Sequence, residues 1–190
     1  MIDNKFPGKD ITSEDLKTKF PLCAKKNSNH KSIVNVGGVR IGDKKNVIIF
    51  AGPNMVESYS LMSSVAKKML KNKLIFLRGG AFKPLTFPYR SKKYCETREE
   101  GLEFLKYVRK KYNCKVISEI MESKFLNKVD ESIDIIQIGA RNMQNYPFLV
   151  DVAKTKKPIM LKRHYGASLR DLLGAAEYIL HAGNKKLILC

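Results

Sequence analysis

The chain has 190 residues, 44% of them hydrophobic, and its 36 basic side chains against 18 acidic ones leave a formal charge of +18 at pH 7. That length makes one domain with one core the default. No apolar run reaches the roughly 18 residues that cross a bilayer, and Met1 to Lys19 lacks the apolar stretch of a signal peptide. The lysines are spread along the chain, and no stretch interleaves basic and aromatic residues as a single-strand binding groove would, so the charge points to anionic substrates and away from nucleic acid and membrane.

Residues 1–30 are polar and irregular, with a short helix start at Ser13-Glu14-Asp15, and read as an N-terminal arm ahead of a domain spanning 31–190. Ile33 to Ile41 alternates apolar and polar residues around Gly37-Gly38, which predicts a β-hairpin over 33–41. From Val47 short apolar runs recur at Val47–Phe50, Leu74–Leu77, Val116–Ile117, Ile133–Ile138, Ile159–Leu161 and Leu187–Leu189. Such runs suit parallel strands covered on both faces. Between them, Glu57–Lys71, Glu99–Tyr112 and Ser168–Ala182 carry helical periodicity, with weaker helices at Ser123–Val129 and Tyr146–Lys154. The alternation means an α/β fold with a parallel sheet.

A doubly wound sheet would carry a Gly-x-Gly-x-x-Gly turn after its first strand, and Ala51-Gly52-Pro53-Asn54 is not one. A (β/α)8 barrel collects its site on the loops after every strand. Polar residues crowd those ends here: Asn54 and Glu57, Arg78 and Lys83, Glu119, Gln137 and Arg141, Lys162 and Arg163. The expected architecture is therefore a partial TIM barrel, six of eight strands, preceded by the hairpin and cut short at Cys190, because a complete barrel needs about 250 residues. Open edges at the first and last strands predict a homo-oligomer or a partner chain.

The stretch Leu77-Arg78-Gly79-Gly80-Ala81-Phe82-Lys83-Pro84 leaves a buried strand with two glycines and two cations. The glycines tolerate unusual dihedrals and let the backbone approach a ligand. Arg78, Lys83, Arg141 and Lys162 stand at the ends of three strands, and in a barrel those ends converge on one mouth. Gly139 and Ala140 precede Arg141 and can offer backbone N–H groups to a phosphate or carboxylate. A small acid bearing both groups matches this array. The cysteines (Cys23, Cys95, Cys114, Cys190) form no Cys-x-x-Cys pair and read as reduced thiols of a cytoplasmic protein. The three histidines show no metal-ligand spacing.

Four ordered segments resemble the signatures of 3-deoxy-7-phosphoheptulonate synthases, in the branch related to 3-deoxy-octulosonate 8-phosphate synthase. They are Ala51-Gly52-Pro53-Asn54-Met55-Val56-Glu57-Ser58, the Leu77–Pro84 stretch, Gln137-Ile138-Gly139-Ala140-Arg141-Asn142 and Leu161-Lys162-Arg163. The resemblance implies a transferase that condenses phosphoenolpyruvate with erythrose 4-phosphate at the entry to aromatic amino acid (shikimate) biosynthesis. It assigns phosphoenolpyruvate to Arg78, Lys83, Gly139, Ala140, Arg141 and Lys162, with Lys83 and Glu119 as catalytic residues and Glu119 orienting the attacking water. It assigns the aldose phosphate to Thr86.

Two departures bear on activity. Asn54 stands where many members keep a metal-binding cysteine, and an amide is a poorer ligand than a thiolate, so no metal cofactor is expected on this chain. Leu85 replaces an arginine that in the family grips the aldose phosphate, and it cannot hydrogen-bond an anion. These departures make erythrose 4-phosphate the weaker half of the expected substrate pair. They also keep two alternatives in view, a non-catalytic barrel retaining a phosphoenolpyruvate half-site and a metal-independent octulosonate 8-phosphate synthase.

Overall fold

The computed structural model describes residues 11–43, 47–83, 87, 89, 96–129 and 131–190. After a short helix α1 (Ser13–Thr18), strands β1 (Val34–Val36) and β2 (Val39–Ile41) pair antiparallel with Val36 opposite Val39. Gly37 and Gly38 make the two-residue turn at φ 56° and 89°. Positive φ at both centres is the type I′ geometry whose twist matches the flanking strands, and glycine reaches it without strain.

Six parallel strands then lie side by side in chain order: β3 (Phe50–Ala51), β4 (Phe76–Arg78), β5 (Lys115–Glu119), β6 (Ile135–Ile138), β7 (Ile159–Leu161) and β8 (Leu187–Leu189). The sheet curls into an open half-barrel, and helices α2 (Tyr59–Lys71), α3 (Arg98–Tyr112), α4 (Tyr146–Lys154) and α5 (Leu169–His181) cover its convex side. The helices start where side chains can take their first free N–H groups. Ser58 accepts from the Leu61 amide, Asn145 from Phe148, and Ser168 forms a reciprocal capping box with Asp171.

Alternate strand residues face opposite ways. Leu77, Val116, Ile136, Ile138, Ile159 and Leu161 turn outward into the main core, against Met62, Leu105, Leu149 and Ile179 of the helices. Phe76, Ile117, Ile135 and Met160 turn inward and form a second cluster with Val34 and Val36. The hairpin therefore stoppers the concave face from below. Between sheet and helix α3, Arg109 grips Asp134 with Nε and Nη2, both at 2.8 Å. The same carboxylate accepts the Val116 amide at 2.8 Å, tying β5 to the turn before β6.

The N-terminal segment packs on helix α5. Thr12 and Asp15 form a capping box on α1, and Asp15 also takes Arg170 at 3.1 and 2.8 Å. Arg170, then the Thr12 amide and Lys19, hold the Asp15 carboxyl well below the usual range. The Glu177 carboxylate accepts the amides of Leu22 and Cys23 at 2.8 and 3.1 Å. Burial, reinforced by that carboxylate, pushes the Cys23 thiol up to about 12.

Three expectations need correcting. Ser123–Val129 is a 3-10 helix over Ser123–Lys128 with only Phe125 buried, so a single inward side chain sets no α-helical stripe. The run expected as strand at Val47–Phe50 is strand only at Phe50–Ala51; Val47 is 89% exposed and pairs with nothing described. Gly79 and Gly80 do not have positive φ. They are small because the chain itself crowds them. A Cβ on Gly79 would lie 2.9 Å from Val56, and one on Gly80 would lie 2.6 Å from the Asn54 carbonyl oxygen. Near the site, positive φ falls on Gly52 instead, at 147°, where a Cβ would meet the Arg78 carbonyl oxygen at 1.9 Å.

Candidate active site

Each inward strand position in the apolar layer is followed, two residues on, by a polar group on the same face: Phe76 by Arg78, Ile117 by Glu119, Ile135 by Gln137 and Met160 by Lys162. Period-2 geometry alone stacks this second layer on the first. Strand pairing sets its register, with Glu119 opposite Gln137 and Gln137 opposite Met160. Above the layer the strand-exit loops contribute Asn54 after β3, Lys83 after β4, Gly139, Ala140 and Arg141 after β6, and His164 and Tyr165 after β7. All of these except Gln137 line one cleft of about 340 Å3, near the lower end of ligand clefts.

The loops are held by their backbones. The Val56 amide bonds the Gly80 carbonyl at 2.9 Å, so the exits of β3 and β4 are clasped together. The Lys83 amide donates to Glu96 at 2.7 Å. After β6 the chain turns through a 3-10 helix, Ala140–Asn142, with the Asn142 amide on the Gly139 carbonyl at 2.9 Å. Arg163 faces its own loop, where Nε and Nη2 donate to the Ala167 carbonyl at 2.9 and 2.6 Å. That contact braces the turn carrying Lys162, His164 and Tyr165.

Polar contacts within the layer run in one chain. Arg78 Nε donates to Gln137 Oε1 at 3.2 Å, and Gln137 Nε2 donates to Glu119 Oε2 at 3.0 Å. Gln137 is only 2% exposed. The other carboxylate oxygen, Glu119 Oε1, is buried and has no hydrogen-bond partner among the described residues. A Cβ on Gly139 would fall 1.8 Å from that oxygen, so glycine is what makes room for it. Burial raises the Glu119 carboxyl above the ordinary glutamate range, against the opposing pull of Lys162, the Gln137 hydrogen bond, Arg78 and Arg141. A buried carboxyl with a raised pKa, ringed by cations in a cleft, is the pattern of a functional group.

The structure thus gathers Arg78, Lys83, Glu119, Gly139, Ala140, Arg141 and Lys162, all expected from the sequence, and adds His164 and Tyr165. In the sequence Gln137 stood out as a polar residue at a strand end and as the first residue of the Gln137–Asn142 segment, with no role of its own. Its spacing of two from Ile135 is the signal that places it on the inner face. Thr86 lies outside the described residues, as do Pro84, Leu85, Pro88 and Cys95. A divalent metal does not fit the described residues. No three of His, Cys, Asp and Glu come together among them, and the cleft offers only Glu119 and His164 of those types beside four cations.

A concave parallel half-barrel with a cation-lined mouth at the carboxyl ends of its strands defines an aldolase-type α/β-barrel protein. Residues 19–190 match the DAHP synthetase I family, and the chain belongs to that family. It is 35% identical over 192 residues to the phospho-2-dehydro-3-deoxyheptonate aldolase of Thermotoga maritima, spanning 100% of this chain and 56% of that protein. The 2-dehydro-3-deoxyphosphooctonate aldolase of Fusobacterium nucleatum is 28% identical over 170 residues, 85% of this chain and 60% of its own.

Among solved structures, the Thermotoga maritima DAHP synthase superposes with a TM-score of 0.77 at 37% identity, over 85% of this chain and 45% of that one. A truncated form of the Thermotoga enzyme gives 0.78 at 36% identity, over 90% and 60%. The chain thus spans roughly half the length of the relatives it matches. Among the described residues no helix is long and apolar enough to cross a membrane.

Proposed function

We propose that this protein serves 3-deoxy-7-phosphoheptulonate synthesis in the cytoplasm and that its cleft is the phosphoenolpyruvate site. The observation that carries the reading is the convergence of Arg78, Lys83, Arg141 and Lys162 on one small cleft beside a buried carboxylate oxygen that has no partner among the described residues. Phosphoenolpyruvate brings a phosphate and a carboxylate on three carbons. Four fixed cations answer those charges, and backbone N–H groups at Gly139 and Ala140 add directional contacts.

In the reaction, carbon 3 of phosphoenolpyruvate attacks the aldehyde carbon of erythrose 4-phosphate. Water adds at carbon 2, and its oxygen stays there while phosphate leaves by C–O cleavage. Cations set in place before the reaction stabilise the charge that moves onto the departing phosphate. Lys83, which lines the same cleft, is assigned the supply of a proton. Glu119 is assigned the orienting of the attacking water, a role supported by its buried Oε1 beside the cleft. Thr86 is assigned to the aldose phosphate.

Calorimetric titration of phosphoenolpyruvate at low salt tests the first half. Binding that weakens as salt rises is the expected result, because the contacts are ionic. Absence of binding at low salt would overturn the assignment. Phosphate release on adding erythrose 4-phosphate tests the second half.

A further inference from the structure

We infer that Gln137 is a positioning residue: its amide couples the Arg78 guanidinium to Glu119 and thereby makes Oε1, not Oε2, the oxygen with which Glu119 works. The inference rests on the functional reading of the cleft and assigns a role inside it.

The argument is one of donor and acceptor directions. Arg78 Nε can only donate. Its hydrogen bond to Gln137 Oε1, at 3.2 Å, therefore fixes which way the amide points. The opposite edge must then present Nε2, a donor, to Glu119 Oε2 at 3.0 Å. An oxygen receiving an N–H cannot also carry a proton along the same line. Accepting that N–H makes Oε2 the less basic of the two oxygens, so a proton held by the Glu119 carboxyl favours Oε1.

Oε1 is the oxygen without a partner among the described residues, buried over Gly139, where a side chain would collide with it. Flipping the amide would set Nε2 against Arg78 Nε, donor against donor. Burial of Gln137, at 2% exposure, removes the water that would mend such a mismatch. One amide thus does two jobs. It holds the guanidinium at the wall of the cleft and divides the carboxylate into a bound and a working oxygen. An apolar side chain of the same size could do neither, and a second carboxylate could do only the first.

Other charged and titratable groups surround Glu119: Arg78 from β4, Lys83 from the loop after β4, Arg141 from the loop after β6, and Lys162, His164 and Tyr165 from the exit of β7. All of them remain in a Gln137 variant, so comparing variant with wild type cancels their titration and that of the ligand.

The test reads Glu119 directly. The carboxyl carbon of Glu119 is followed by NMR against pH in the ligand-free protein, and its resonance is identified by its loss in Glu119→Gln. In Gln137→Met the carboxyl should titrate at higher pH than in wild type, because the carboxylate has lost its N–H donor. In Gln137→Glu two carboxyls about 3 Å apart share a proton, so coupled steps should appear, one above the wild-type value. Identical Glu119 titration in wild type and Gln137→Met, both with unchanged melting, would overturn the inference.

Should Gln137→Met fail to fold, the isosteric Gln137→Glu variant decides alone, and a single unshifted Glu119 step overturns the coupling. With phosphoenolpyruvate as probe, Gln137→Met should bind about tenfold more weakly, the effect of one lost hydrogen bond to a charged group. For Gln137→Glu, the ratio of its affinity to that of wild type should fall as pH rises. A pH-independent ratio would count against the coupling. Failure of the wild-type protein to bind phosphoenolpyruvate would instead sink the assignment of the cleft, and the ligand-free titration would still decide the role of Gln137.

Discussion

Two layers of the concave face, two residues apart on the same strands, differ in everything but their backbone. The lower, Phe76, Ile117, Ile135 and Met160, is apolar, almost wholly buried and stoppered by the hairpin. The upper, Arg78, Glu119, Gln137 and Lys162, holds charges beside a cleft and leaves one carboxylate oxygen without a partner among the described residues. A partnerless buried polar atom costs stability. The lower layer stabilises the sheet that holds the upper one in place, and the difference separates residues that keep the fold from residues proposed to bind.

The sharpest way to break that division is to cut into each layer and ask which property fails. Ile135→Ala, at a fully buried position, should cost about 2–5 kcal/mol of stability. The lowered denaturation midpoint is the readout, and any loss of ligand binding should track unfolding. Lys162→Ala should do the opposite. Removing one charge of a fixed ionic contact costs about 2–5 kcal/mol of binding, enough to lose detectable phosphoenolpyruvate affinity, while stability should stay within about 0.5 kcal/mol. Lys67→Ala, on the exposed side of α2, is the control and should change neither. Intact affinity in Lys162→Ala would erase the functional half of the comparison.

A carboxylate on the convex side sharpens the contrast by pH. Burial pushes the Asp134 carboxyl up, but Arg109 and the Val116 amide outweigh it and leave its pKa lowered. A lowered pKa means stability that is present above the ordinary aspartate range and lost as pH falls through the native value. Asp134→Asn should therefore destabilise the protein at neutral pH by about 2 kcal/mol and much less in acid. Denaturant titrations at two pH values read the difference.

Glu119 should show the reverse sign, as the smallest of these effects. Its native pKa is raised by burial, so its contribution to stability is most favourable below the ordinary glutamate range and declines as pH rises through the native value. Glu119→Gln should raise the melting temperature at neutral pH, leave it unchanged near pH 3, and impair function. A drop in melting temperature at neutral pH would show that the carboxylate belongs with the lower, stabilising layer.

Much of this protein was legible in its residue pattern because local rules govern that much. Gly37-Gly38 between alternating residues specified the hairpin, since few residues besides glycine enter a type I′ turn cheaply. The apolar runs at Ile159–Leu161 and Leu187–Leu189 specified β7 and β8 to the residue; β7 is buried on both faces and needs unbroken hydrophobicity, while β8 is only half-buried. The strand-end cations were legible because parallel sheets set ligands at carboxyl ends.

What tertiary structure alone decided depends on neighbours far apart in the chain. The work of Gly79, Gly80 and Gly139 is to yield space to Val56, Asn54 and Glu119, and no local signal distinguishes that from turn chemistry. Gln137 became a coupler only when register set it opposite Glu119 and curvature brought Arg78 within 3.2 Å. His164 and Tyr165 joined the cleft because Arg163 folds the exit of β7 back on the Ala167 carbonyl. The sequence by itself determined which faces are apolar and where charges leave the strands, because those follow from periods of two and 3.6 residues. Which charges meet, and which oxygen is left without a partner, was decided by strand register and loop closure.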